Sequence, residues 1–206
     1  EWWGNKVTGI DWADMWIQEG IDTYGDALYI REYEGEEGYQ KLMQQTARNV
    51  ENKQPVVPGK DVDTDSVYQR DIYGKGAFFM HTIRYVIGDE IFFPALKKFV
   101  TSPDYTYDNL VDTDDVEKHF TNASGKDLKP LFDLFLRTTD KLTISVKQTG
   151  EKKYLIKILN SGVSVPLDVQ TDKGIERMNL DGKGVAVESS VIPAIDPNVY
   201  YFKKVI

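Results

Sequence analysis

The amino-acid sequence predicts an α+β protein, with a helical part over residues 1–139 and a smaller β part over residues 140–206. Two observations separate the parts. Apolar residues recur with the period of a helix before residue 140 and mostly with the two-residue period of a strand after it. The charge also changes, because residues 1–140 carry 15 basic and 26 acidic side chains whereas residues 141–206 carry 10 and 7.

The helical part begins with a long segment in which apolar residues share one helical face. Asp11 is expected to cap this helix, which should run to about Glu34 and end at Gly35. The loop expected at residues 51–65 contains two prolines and a glycine. Five more helices are predicted, at residues 36–50, 73–86, 90–100, 113–122 and 127–137. Gly88 is expected to end the helix at 73–86. Asp89 is expected to cap the helix at 90–100, and Thr113 the helix at 113–122.

The β part is predicted from short apolar segments separated by turn residues. The strands are expected at residues 142–146, 154–158, 163–169, 176–180, 184–187 and 200–203. The sequence Asp181-Gly182-Lys183-Gly184 is a strong turn signal. Short strands at this spacing favour a small β-sandwich.

Composition excludes several classes of function. The chain has no cysteine, so it has neither disulfides nor thiolate metal ligands of its own. Its net charge of −8, without a basic stripe, argues against a nucleic-acid partner. No apolar run approaches the roughly 18–20 residues of a membrane-spanning helix.

Two motifs resemble a known family. The first is W-W-G-N-x-V-T from Trp2 to Thr8, followed by W-x-x-E-G from Trp16 to Gly20; the second is Y-x-K-G from Tyr73 to Gly76. Together and in this order they resemble the segments that follow H-E-x-x-H in the gluzincin zinc aminopeptidases, which include alanyl and leucyl aminopeptidases and leukotriene hydrolase. The resemblance implies the mainly helical second half of a thermolysin-like catalytic domain, followed by a small β-sandwich.

The resemblance also implies roles for four residues. Glu19 would be the third zinc ligand, and the family's spacing would place a zinc-binding histidine immediately before Glu1. Asp26, two helical turns after Glu19, would support a zinc-binding histidine through a hydrogen bond, although glutamate is more usual there. The Tyr73 hydroxyl would stabilise the oxyanion, and Tyr68 aligns with a tyrosine on the substrate side in some relatives.

The chain by itself lacks the rest of such a zinc site. Its only histidines, His81 and His119, are not spaced as H-E-x-x-H. His81 is expected in the core and His119 on an exposed helical face. We therefore expect a C-terminal fragment of a zinc-dependent aminopeptidase, inactive alone and without bound zinc, whose peptide substrate belongs to the intact protein.

Two other interpretations remain open at this stage. The chain could be a non-enzymatic binding or scaffold module, or a degenerate relative whose zinc site was never complete. The four tryptophans Trp2, Trp3, Trp12 and Trp16 are expected to pack in the core around the zinc-ligand helix. If the chain is a fragment, surface exposed near Trp2, Trp3 and Tyr73 should lead to self-association or to local disorder there.

Overall fold

The computed structural model describes residues 2–206 and confirms the α+β class. The expectation attached to Glu1 lies outside the described residues. The chain divides into two compact units, Glu1–Thr139 and Asp140–Ile206. Among the described residues, no helix combines the length and the apolar character needed to cross a bilayer.

The first unit is helical. Its α-helices are α1 (Trp16–Asn49), α2 (Thr64–Val67), α3 (Arg70–Ile87), α4 (Asp89–Thr101), α5 (Thr113–Ser124) and α6 (Lys129–Leu136). The break expected at Gly35 is present as a kink inside α1, where φ is 75° and ψ is −173°. Glycine tolerates this positive φ, so the helix continues in a new direction beyond it. The short helix α2 overlaps the end of the segment predicted as loop.

Three of the predicted helix caps differ from those in the structure. Asp11 caps a 3₁₀ helix, Trp12–Asp14, by accepting a hydrogen bond from the Ala13 N–H at 2.9 Å, and α1 begins only at Trp16. Asp112 rather than Thr113 caps α5, because Asp112 and Asp115 form a capping box. Gly88 rather than Asp89 precedes α4.

The core of the first unit is rich in aromatic side chains. Trp16 is fully buried, and its ring meets Phe79 and Phe132 edge-on at centroid distances of 5.9 and 6.5 Å. The expectation that all four tryptophans lie in the core is wrong for Trp2 and Trp12, which are 56% and 47% exposed. Both lie before α1, Trp2 ahead of the 3₁₀ helix and Trp12 at its first residue.

The second unit contains seven strands in two sheets. The strands are β1 (Leu142–Gly150), β2 (Lys153–Ile158), β3 (Val165–Thr171), β4 (Gly174–Leu180), β5 (Val185–Glu188), β6 (Ala194–Ile195) and β7 (Lys203–Val205). One sheet has the order β5-β2-β1-β7 and the other β4-β3-β6. The β1–β7 pair is parallel and the others are antiparallel, which makes a mixed sheet region.

The turn at Asp181–Gly184 carries the chain from one sheet to the other. The Asp181 carboxylate accepts hydrogen bonds from the Lys183 and Gly184 N–H groups at 2.7 and 3.2 Å. The strands on either side, β4 and β5, belong to different sheets, so this turn does not close a hairpin. The last strand begins at Lys203 rather than at residue 200, because Tyr200 and Tyr201 donate their N–H groups to the buried Asp196 carboxylate.

Candidate active site

A glycine contact brings α1 and α3 together at the candidate site. A Cβ atom added to Gly20 would lie 2.7 Å from the Ile72 carbonyl oxygen and 2.9 Å from the Gly76 Cα. Real Cβ atoms do not approach backbone so closely, so only glycine allows this spacing of the two helices. Glu19 precedes one of these glycines and Tyr73 lies one helical turn before the other, so the contact places both side chains in one region.

Tyr68 joins the two motif residues. Its hydroxyl donates a hydrogen bond to Glu19 Oε1 at 3.2 Å and lies 2.5 Å from the Tyr73 hydroxyl. The two tyrosine rings meet edge-on at a centroid distance of 6.1 Å. Glu19 and Tyr73, 54 residues apart in sequence, therefore share one hydrogen-bonded group.

The surroundings of Tyr73 keep its hydroxyl protonated. Desolvation raises the pKa of Tyr73 well above its usual value, and the hydrogen bond with Tyr68 and the negative charge of Glu19 act in the same direction. A tyrosine with its usual pKa near 10 is already protonated at neutral pH, and the raised pKa of Tyr73 keeps it a hydrogen-bond donor to higher pH. A donor fixed beside a carboxylate can stabilise negative charge that develops on an oxygen atom.

Two open cavities adjoin Tyr68, and both lie within the first unit. One has a volume of about 460 Å³ and is lined by Tyr73, Arg70, Thr23 and Asn49 among others. The other, of about 640 Å³, lies beside Trp12 and Met15. Tyr68 is itself 50% exposed, so its side chain lies at the surface where both cavities open.

The other predicted site residue and the two histidines lie apart from this arrangement. Asp26 is exposed on α1, and its role stays a prediction. His81 is buried as expected, with its Nδ1 2.7 Å from the Tyr39 hydroxyl. The expectation that His119 is exposed is wrong: it is 6% exposed, packs on Phe99 at a ring distance of 5.0 Å, and its Nε2 lies 2.8 Å from the Ala95 carbonyl oxygen.

The sequence reasoning gave no role to the buried charges that flank Tyr73. Asp71 and Lys75 are each 1% exposed and bind backbone and side-chain groups of distant loops. A charged pair spaced by four residues at the start of a largely buried helix was the signal available for them. Among residues 2–206, no three histidine, aspartate or glutamate side chains converge as a metal-binding group.

Comparison with known proteins decides the family. The model of the peptidase family M1 domain matches residues 1–135, which is well over half of the chain. The chain belongs to peptidase family M1. This confirms the resemblance to the gluzincin aminopeptidases, a family of zinc metallopeptidases.

Relatives of this M1 chain include several named aminopeptidases. It is 26% identical over 162 residues to the mitochondrial aminopeptidase 2 of Saccharomyces cerevisiae, covering 74% of this chain and 17% of that protein. It is 26% identical over 147 residues to aminopeptidase N of Lactococcus lactis, covering 66% and 17%. The tricorn protease-interacting factor F2 of Thermoplasma acidophilum matches 98% of this chain at 23% identity. The chain thus spans 17–27% of the length of these relatives.

Solved structures show the same fold. Aminopeptidase A of Legionella pneumophila, in complex with aspartic acid, matches with a TM-score of 0.77 at 21% identity, over 100% of this chain and 25% of that one. An M1 zinc metallopeptidase of Deinococcus radiodurans, bound to a Tyr-Ser-Ala substrate, matches with a TM-score of 0.56 at 27% identity, over 66% and 30%. The M1 fold therefore extends over the helical unit, and the first match extends over the whole chain.

Proposed function

We propose that the whole protein containing this chain is a zinc-dependent aminopeptidase, in which Glu19 binds the zinc and Tyr73 stabilises the oxyanion. The chain would contribute residues 1–139 to a thermolysin-like catalytic domain, and residues 140–206 would form the β-sandwich that follows it. The substrate would be a peptide from which the N-terminal residue is removed.

One observation carries this proposal. Glu19 and Tyr73, which come from two separate family motifs, meet through the Tyr68 hydroxyl at 3.2 and 2.5 Å. A carboxylate and a protonated phenol in one place are the groups that an M1 site needs from this part of the chain. The glycine contact between α1 and α3 explains why they meet, because it fixes the spacing of the helices that carry them.

The Glu19 carboxylate suits zinc in its chemistry. Carboxylate oxygen is a common zinc ligand, and a catalytic zinc site has three protein ligands and one open position. Among residues 2–206 no group of three metal-ligating side chains includes Glu19, and His81 and His119 are buried elsewhere. We therefore propose that an H-E-x-x-H segment, which the 206 residues do not contain, supplies the other ligands and the general base.

The remaining roles are proposed from the family resemblance, and the positions of Tyr68 and Tyr73 beside Glu19 support them. Zinc in such a site acts as a Lewis acid on the scissile carbonyl and lowers the pKa of a water molecule. Tyr73 would donate its hydroxyl proton in a hydrogen bond to the developing oxyanion, a contribution of about 2.7–4 kcal/mol. Tyr68 would orient Tyr73 from the substrate side, and Asp26 would hold a zinc-binding histidine in orientation.

The test compares single variants of the whole protein. Zinc content and hydrolysis of aminoacyl arylamides are measured for Glu19→Ala and Tyr73→Phe. Glu19→Ala is expected to lose both zinc and activity. Tyr73→Phe is expected to keep its zinc but to lower kcat by about 10²–10³-fold, because one oxyanion donor is lost.

Two exposed residues of α1 provide matched controls. Glu37→Gln and Tyr33→Phe change the same side-chain types away from the site and should leave zinc content and kcat unchanged. Wild-type activity in Glu19→Ala would overturn the proposed ligand. The absence of peptide hydrolysis by the zinc-loaded whole protein would instead favour a binding module or a degenerate relative.

The 206 residues alone are expected to be inactive, because one carboxylate does not hold zinc tightly. Equilibrium dialysis with zinc and the same arylamide assay test this for the isolated chain. Stoichiometric tight zinc or measurable turnover by the isolated chain would contradict this part of the proposal, whatever the whole protein does.

A further inference from the structure

The first turns of α3 carry two buried charged side chains that the proposed mechanism does not use. Asp71 and Lys75 are each 1% exposed, although charged residues are rarely so deeply buried without partners. They lie two residues before and two residues after Tyr73. Such a placement needs an explanation, because burying a charge is costly unless hydrogen bonds compensate for it.

Both charges are directed to Asn52. The Asp71 carboxylate accepts hydrogen bonds from the Glu51 and Asn52 N–H groups at 3.0 and 2.6 Å. Lys75 Nζ donates to Asn52 Oδ1 at 2.7 Å and to the Thr138 carbonyl at 3.1 Å. We call Asp71, Lys75 and Asn52, with the carbonyls they bind, the Asn52 cluster.

Asn52 is itself held in an unusual conformation. Its φ is 52°, in the left-handed region that asparagine tolerates better than most residues. Its Nδ2 donates to the Thr139 carbonyl at 2.5 Å. The cluster therefore connects the start of α3 to the segment after α1 and to the last residues of the first unit.

The start of α3 lacks the usual local support. Gln69, the N-cap residue, makes no side-chain capping hydrogen bond. Helix ends without caps leave backbone N–H groups unpaired and fray easily. Asp71 and Lys75 do not pair these N–H groups, but they bind the first turns of α3 to groups 19–63 residues away in the chain.

The geometry of a helix explains how this holds Tyr73. Successive residues are separated by about 100° around an α-helix, so residues two before and two after Tyr73 project from nearly the opposite side. The Asn52 cluster thus holds one side of α3, while Gly76 touches Gly20 on the side nearer Tyr73. With both sides fixed, the rotation of the first turns about the helix axis is determined.

We propose that Lys75, acting through Asn52, is a positioning residue for Tyr73. This inference rests on the proposed function, in which the Tyr73 hydroxyl stabilises the oxyanion. Lys75 touches no reacting group in this role. It keeps the α3 backbone at the rotation that directs the Tyr73 hydroxyl towards Tyr68 and Glu19.

The experiment measures the Tyr73 environment and catalysis separately. The chain is labelled with 3-fluorotyrosine, and the Tyr73 ¹⁹F resonance is assigned by its loss in Tyr73→Phe. Lys75→Met keeps a similar side-chain length but removes the donor. The Tyr73 resonance is expected to shift or broaden, while the resonances of the distant Tyr154 and Tyr201 stay in place.

Lys126→Met is the matched control. Lys126 Nζ donates to the Val86 carbonyl at 2.6 Å, in the last turn of the same helix. This variant also removes a lysine-to-carbonyl hydrogen bond on α3, but far from Tyr73. Its Tyr73 resonance should remain at the wild-type position.

In the whole protein, the same variants are compared by steady-state kinetics. Lys75→Met should lower kcat by roughly 10- to 100-fold with little change in KM, because a small displacement of a group that acts in the transition state costs this much. Lys126→Met should leave kcat unchanged. An Asn52→Gly variant keeps the left-handed backbone but removes the side chain. The Lys75→Met/Asn52→Gly double variant should lower kcat no further than Lys75→Met alone, because both changes break the same hydrogen bond.

The outcomes separate the inference from the proposed function. An unmoved Tyr73 resonance in folded Lys75→Met overturns the positioning role, whether or not the protein hydrolyses peptides. A moved resonance in a protein that has no peptidase activity supports positioning and refutes the function. If Lys75→Met does not fold, Asn52→Gly decides the matter, and an unmoved Tyr73 resonance there overturns the proposal.

Discussion

The two ends of α3 are held in different ways. At the amino end, Asp71 and Lys75 are buried and bind groups 19–63 residues away in sequence. At the carboxyl end, Gly88 ends the helix with a φ of 85°, and Arg84 bonds to Asp89, five residues later, at 2.7 and 2.8 Å. The charges at the end that carries Tyr73 are buried and make long-range bonds. At the carboxyl end the local, partly exposed Arg84–Asp89 pair is joined by long-range bonds from Lys126 to Val86 and from Arg84 to Glu36.

The two ends of α3 should therefore differ in how much stability a substitution costs. Long-range contacts form only when several segments are in place, so a change to a buried charge at the amino end should disturb more of the unit than a change to the partly exposed Asp89. Local contacts at the carboxyl end have small closure costs, because little chain lies between the partners. Four comparisons between variants test the contrast, in order of decreasing effect.

The largest effect is expected for Gly20→Ala, which separates α1 from α3 near Tyr73. The added Cβ would lie 2.7 Å from a backbone oxygen, so the helices must move, at a cost of about 3 kcal/mol or more. Gly25→Ala is the control in the same helix: nothing lies within 4 Å of its Cβ, and a gain of about 0.5–1 kcal/mol is expected. Urea unfolding of both variants measures the difference, and equal stabilities would contradict the close contact.

Asp71→Asn is expected to cost about 2 kcal/mol, because it weakens two charge-assisted hydrogen bonds at a buried position. An amide has one acceptor oxygen for the two N–H groups that the carboxylate binds. The comparison at the carboxyl end is Asp89→Asn, where the carboxylate is 46% exposed and the expected loss is below about 1 kcal/mol. Losses of the same size at both ends would remove the distinction drawn between them.

Gly88→Ala is expected to cost about 1–2 kcal/mol through backbone strain alone. The φ of 85° disfavours any residue with a Cβ, yet no atom lies within 4 Å of the added methyl group. Gly74→Ala in the helical part of α3 should be neutral or slightly stabilising, since its nearest neighbour is 3.8 Å away. Thermal unfolding of the two variants checks this, and an unchanged melting temperature in Gly88→Ala would show that the cap is not strained.

The smallest effect concerns pH. The hydrogen bond with Arg84 lowers the pKa of Asp89, so its stabilising contribution is present above the unfolded-state pKa of about 3.9 and is lost as the pH falls through the folded-state pKa. The stability difference between wild type and Asp89→Asn should therefore be largest at neutral pH and shrink below about pH 4. Urea unfolding at pH 7 and pH 3 tests the sign. A difference that grows on acidification would contradict it.

Much of the helical unit could be predicted from local sequence. The break at Gly35 and the helical segments follow from signals within a few residues of each position. The cap of α5 was misassigned because Asp112 and Thr113 are both good caps, and the Thr113 hydroxyl instead donates to Asp14, 99 residues away, at 2.6 Å. The burial of His119 was missed for the same reason, since Phe99 and Tyr105 come from other elements.

In the candidate site, too, the local motifs could be predicted from the sequence and the long-range contacts could not. Motif resemblance selected Glu19 and Tyr73, and the structure places both beside Tyr68. Their chemical roles stay predictions. Nothing local to Gly20 or Gly76 indicates that they touch, because a contact between residues 56 positions apart depends on how whole helices pack. The partners of Asp71 and Lys75 were hidden for the same physical reason.

The glycine contact also determines which part of α3 a tilt about Gly76 would displace least. Suppose that α3 tilts by about 10° around Gly76: with a rise of about 1.5 Å per residue, the backbone at Tyr73 is about 4.5 Å from the pivot and moves by less than about 1 Å. The end of the helix at Ile87, about 16 Å away, moves by nearly 3 Å under the same tilt. Glu19 is next to the pivot on the other helix. The same tilt of α3 therefore produces a large displacement at Ile87 and a small one where the Glu19 and Tyr73 side chains meet.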